Sequence, residues 1–131
     1  MQQTEHERAS LVGYHATDHL YDKPNYERLL SNITNHDNGA LGLWCSFETR
    51  WIKGSFGKHI YRVEIEGSSY NMPIDELAGM CQTCRSQEDY THRRNELLQQ
   101  GYDIIRIVEM DGSCDMFVVM NFDTVKMSLV E

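Results

Sequence analysis

Residues 59–66 carry the clearest periodicity in the chain: Tyr61, Val63 and Ile65 fall on one side, Arg62, Glu64 and Glu66 on the other. Alternation of period two predicts a strand with one buried and one wet face. Two denser apolar runs, residues 102–108 and 116–120, flank Asp111-Gly112. Asp-Gly favours a tight hairpin turn, so these runs predict a buried antiparallel pair with Ser113, Cys114, Asp115 and Met116 at its mouth. A polar stretch at 121–124 then leads into a last short segment, 125–130.

Helical spacing appears three times. Tyr26, Leu29, Leu30 and Ile33 lie at i, i+3, i+4 and i+7, with Pro24 suited to a first turn and Asp22 placed as a cap. Residues 35–39 close that helix as a loop. A second helix is expected over 73–80, with Asp75 and Glu76 in its first turn. The third is expected over 86–100: Ser86 caps, Asp89 follows three residues on, Leu97 and Leu98 face inward, and Gly101 ends it. Short strands are expected at 11–16 and 40–46, a short helix at 47–53 broken by the glycines of 54–57, and a turn at Gly67-Ser68-Ser69. Residues 1–10 read as a flexible N-terminal arm, and 11–131 as a single domain. Strands and helices do not alternate as in a doubly wound nucleotide fold. The expectation is an α+β fold, its short, mostly antiparallel strands in two sheets around a cleft with two or three flanking helices.

Composition narrows the partners. The chain has 131 residues, 40% of them hydrophobic, and a net charge of −8. That length supports one real core. Such acidity without a dense basic run is a poor match for phosphate backbones, so no direct nucleic-acid contact is expected; it suits docking on a basic protein or simple solubility. No run approaches the roughly 20 apolar residues of a membrane span. The first ten residues are polar and unlike a signal peptide, which points to the cytoplasm and to reduced thiols. Cys81 and Cys84 make one CxxC, while Cys45 and Cys114 stand alone. A structural zinc site usually takes four ligands in two such pairs, so no metal is expected.

Three spots carry candidate chemistry. His15 ends a strand among polar neighbours, where it could meet a ribose hydroxyl; the plainer reading bonds it to local backbone. Trp44 could wall a flat ring, with Phe56 opposite it in a glycine-flanked loop; the plainer reading puts the indole in the core. Glu64 and Glu66 could do acid–base work, although carboxylates on an exposed strand face are usually just solvated. No Ser-His-Asp or Cys-His arrangement declares itself, and no GxGxxG or GxxxxGK[ST] is present.

In order along the chain, Tyr14-His15-Ala16-Thr17, then Gly42-Leu43-Trp44-Cys45-Ser46 with Gly54-Ser55-Phe56-Gly57, then Met116–Lys126 (MFVVMNFDTVK), resemble the motifs of the ADP-ribosyltransferase fold, H-Y-E group. Small phage-type transferases, an anti-CRISPR protein among them, look similar in length, acidity and motif order. The resemblance implies a mono-ADP-ribosyltransferase that moves ADP-ribose from NAD to a protein acceptor in a host-cell cytoplasm. It implies that Tyr14, His15, Ala16, Thr17, Trp44, Ser46 and Phe56 hold NAD. Three positions depart from the family: Ala16 stands for glycine, Trp44 for tyrosine, and Met116 for the catalytic glutamate. Asp115 would then supply the acid if the strand bulged there, or Asp111, Glu109 or Asp89 would reach the cleft. Met116 and the acidity also suit the alternative: an inactive fold of this type that inhibits by masking a basic host protein.

Overall fold

The computed structural model describes residues 8–18, 24–31, 37–49 and 58–130. Six strands join in one mixed sheet, ordered β1-β2-β5-β4-β3-β6. They are β1 (Arg8–Thr17), β2 (Leu43–Ser46), β3 (His59–Pro73), β4 (Ile104–Val108), β5 (Met116–Val119) and β6 (Lys126–Leu129). A further ladder pairs β1 with β3 from Arg8↔Ser68 to Thr17↔His59 and closes the ring of the first five strands. The described residues therefore form one curled sheet, where the sequence suggested two. Strand β1 also begins at Arg8, inside the stretch expected to be a loose arm.

The long strand β3 is the spine. Alternation held over 59–66 as expected, but Gly67-Ser68-Ser69 is no turn. The strand runs straight on to Pro73, because Asp103 locks it from the side. Asp103 Oδ2 accepts the Ser68 N–H at 2.9 Å, and its own N–H donates to the Ser68 carbonyl at 2.7 Å. Gly67 is required there: a Cβ would sit 2.6 Å from the Asp103 carboxylate. The extension pairs in parallel with β4, Ser69↔Ile104 to Pro73↔Val108. Helices α2 (Ile74–Thr83) and α3 (Gln87–Gln99) form the crossover between them.

The expected hairpin is present. Strands β4 and β5 pair antiparallel, Ile107↔Met116 through Ile104↔Val119. Its loop is longer than a two-residue turn. Glu109 N–H donates to the Ser113 carbonyl, and Gly112 takes φ +86, a conformation glycine adopts without a Cβ clash. Strand β6 returns to β3, Tyr61↔Leu129 to Glu64↔Lys126.

Helix α3 ends as its sequence indicates. Ser86 Oγ accepts the Asp89 N–H, and Asp89 reaches back to the Arg85 N–H at 2.7 Å. At the far end Tyr102 N–H donates to Leu97 and Gly101 N–H to Leu98, the paired bonds of a Schellman stop. Helix α1 (Tyr26–Ser31) carries Tyr26, Leu29 and Leu30 of the expected stripe, and Asn25 caps it through Oδ1. Asp22, Ile33 and residues 50–53 lie outside the described residues. Ala40 and Leu41 belong to a 3-10 turn (Asp37–Leu41) ahead of β2, not to the strand.

The sheet has two apolar faces. Inside the curl Leu43, Cys45, Tyr61, Val63, Ile65, Ile104, Phe117 and Val119 form one core. Outside it Met72, Ile105, Ile107 and Val118 pack under Met80, Tyr90 and Leu97 of the helices.

Candidate functional site

Three adjacent strands bring the sequence candidates to one end of the sheet. Tyr14 of β1 pairs with Ser46 of β2, and Ser46 pairs with Met116 of β5. Past the strand ends, the Phe47 N–H donates to the Asp115 carbonyl at 3.1 Å.

Their side chains separate. His15 stands opposite Tyr61 in register and shares the inner face with Leu11 and Gly13. Trp44 stands opposite Val118 and packs on the helix-backed core, while its neighbours Leu43 and Cys45 join the inner one. His15 and Trp44 meet through the main chain: His15 Nδ1–H donates to the Trp44 carbonyl at 2.7 Å. Burial holds the His15 pKa below its ordinary value, opposed by that bond, so the ring is neutral at pH 7. The indole N–H of Trp44 donates to the Asn38 carbonyl at 3.0 Å and ties β2 to the 3-10 turn. These contacts are the ones the plainer readings expect, a histidine bonded to backbone and an indole in the core. The two rings do not line one groove: the antiparallel pairing of Tyr14 with Ser46 sets His15 beside Cys45, and Trp44, one residue on, points to the other face.

The other candidates have structural duties. Ser46 is fully buried; its Oγ donates to the Glu48 carbonyl at 2.9 Å and ends β2. Ala16 packs on Ile60 with Tyr14 against them, and Thr17 is buried. Phe56 lies outside the described residues. Met116 packs half-buried against the helix-backed core, and Asp115 beside it is exposed. Asp111 accepts the Ser113 N–H and Oγ–H at 2.9 and 2.6 Å, which holds its carboxyl below the usual range. Asp89 caps α3, and Glu109 lies in the hairpin loop. Glu64 pairs with Arg62 at 2.6 Å on the open face, a solvated arrangement of little energetic weight.

Burial pushes the Cys45 thiol up, which keeps it protonated and unreactive. No cluster of three or more His, Cys, Asp or Glu side chains suited to a metal occurs among the described residues. No described helix is long and apolar enough to cross a membrane. A shallow groove of about 220 Å³ lies toward the other end of β1, between Ser10, Val12, Glu64, Glu66, Thr124 and Lys126. It is smaller than the roughly 300–1,000 Å³ of most small-molecule sites.

Sequence inspection missed two polar knots. One is Asp103, which also accepts from Asn121 Nδ2 at 2.9 Å. The other joins the Tyr70 hydroxyl to Glu76 at 2.7 Å, with Arg93 3.8 Å from the same carboxylate. Neither has a local signature, since each joins residues from separate elements.

No family model matches the chain, and no curated protein matches it. Among solved structures, an anti-CRISPR protein is similar in fold. The match has a TM-score of 0.51 at 11% identity and covers 91% of this chain and 96% of that one. At that identity the likeness concerns the fold alone.

Proposed function

We propose that this protein is a small acidic inhibitor that acts by binding a basic surface of a protein target, without modifying it. The observation that carries this reading is the charge: 20 acidic residues against 12 basic ones leave a net −8. Such a field attracts a basic partner, speeds encounter and repels nucleic acid. The likeness to an anti-CRISPR protein suggests the target class, an RNA-guided nuclease of a host. The dispersal of His15, Trp44 and Met116 over two faces adds support, since transfer chemistry needs its groups on one substrate.

The test titrates the purified chain into a panel of RNA-guided nuclease complexes without NAD. Inhibition of target cleavage should saturate at a fixed stoichiometry, with co-elution in size-exclusion chromatography, and should weaken with added salt. Absence of both complex and inhibition across the panel would reject the reading.

A second reading keeps mono-ADP-ribosyl transfer from NAD. One observation favours it: Tyr14, Ser46 and Met116, from the three stretches that resemble the family's motifs, stand side by side in register on adjacent strands. Asp115 would supply the acid from its exposed position. Here inhibition would require NAD, leave a mass increment on the target, and collapse in His15→Ala. Tryptophan fluorescence during an NAD titration gives an independent check.

A further inference from the structure

We propose that Cys81 and Cys84 are a reversible thiol–disulfide pair that closes the end of α2, while Cys45 and Cys114 stay reduced. All four cysteines are free thiols in this structure. The Cys84 N–H donates to the Met80 carbonyl at 2.7 Å, so the turn holding Cys81 keeps its helical pitch. Helical geometry sets Cα atoms three residues apart at about 5 Å, inside the 4.4–6.8 Å a disulfide spans. Cys84 itself turns out of the helix, with φ −78 and ψ 127. Residues three apart lie on one face of a helix, so the two thiols start from the same side of α2.

Tyr90 gives the pair a common reference point. Burial raises the pKa of its hydroxyl, and the neighbouring Cys81 and Cys84 add to that rise. Tyr90 is only 4% exposed on α3, and Cys84 packs against the cluster to which Tyr90 belongs. Cys81 is exposed and Cys84 half-buried, so a soluble oxidant can reach the pair. Of the remaining thiols Cys45 differs by burial, while Cys114 is half-buried like Cys84 but has no second cysteine within three residues. Cys45 is buried among Leu43, Phe117 and Val119. The Cys114 thiol donates to the Met116 carbonyl.

With glutathione disulfide as oxidant, the Cys81 thiolate attacks one sulfur and expels a glutathione thiolate. The Cys84 thiolate then attacks the Cys81 sulfur of the mixed disulfide and expels the second glutathione. Two thiols lose two electrons in all, the glutathione disulfide gains them, and the two thiol protons end on the two glutathiones. The new bond ties the last turn of α2 to the short linker that enters α3 at Ser86.

The full chain should be treated with glutathione disulfide, alkylated and digested with trypsin. Cleavage after Arg62 and Arg85 releases a peptide that contains Cys81 and Cys84 and no other cysteine. That peptide should be lighter by two hydrogens and unalkylated, and reductant should restore both alkylation sites. Cys45 and Cys114 should be alkylated throughout, after denaturation. In Cys84→Ser the reaction should stop at Cys81 bearing one glutathione. Full alkylation of the 63–85 peptide, a disulfide to Cys114, or two glutathiones on the wild-type pair would each overturn the proposal.

Discussion

Strand β2 has two unlike sides. Leu43 and Cys45 face the interior of the curled sheet, a wholly strand-made core closed by Phe117, Val63 and Ile65. Trp44 faces outward into a core made by strands and helices together, under Leu97 and Tyr90. The first is built by pairings between distant strands, the second by the α2–α3 crossover. His15 belongs with the first and Trp44 with the second. Three consecutive residues that look like part of a ligand motif thus serve two separate cores.

The sharpest way to break this contrast is Phe117→Ala. Phe117 is fully buried, its ring contacts Phe47 at 5.0 Å between centroids, and a Cβ on Gly13 would meet it at 2.4 Å. Loss of about 3–5 kcal/mol is expected in urea unfolding, with the near-ultraviolet signal of Trp44 retained in the folded fraction. A changed Trp44 signal would show that the two cores are not separate.

Asp103→Ala tests the joint between the cores. It strips the Ser68 N–H and Asn121 Nδ2 of their acceptor and should cost about 1–3 kcal/mol. If stability is unchanged, Asp103 does not hold β3 straight through Gly67.

His15 gives the inner core a pH dependence. Its folded pKa lies below 6.5, so the unfolded chain binds the proton more readily. Stability from the neutral ring is complete above about pH 6.5 and lost as pH falls toward the folded value, by up to about 1.4 kcal/mol per unit. His15→Gln should flatten that limb of the stability–pH curve. An equal slope in the variant would assign it to other groups.

The smallest effect is expected on the outer side. Trp44→Phe keeps a ring against the helix-backed core but loses the bond to the Asn38 carbonyl. It should cost about 0.5–1.5 kcal/mol and leave the His15 pH response intact, because that contact is to backbone.

Local chemistry made several features legible in the sequence. Ser86, Asp89 and Gly101 marked the ends of α3 because caps satisfy backbone groups within a few residues. Period two marked the first half of β3, and β-branched runs around Asp111-Gly112 marked β4 and β5. The same local logic misplaced a turn at Gly67-Ser68-Ser69, where the glycine answers to Asp103, 36 positions on.

By itself the sequence determined the α+β class, the hairpin, the capped helix and an acidic surface. All of these follow from short-range periodicity, capping and charge. Tertiary structure alone decided that β3 continues into a parallel pairing, that the sheet curls shut through β1, and which face each candidate residue takes. Those outcomes depend on strand register, and a one-residue step in register moves a side chain from one core to the other.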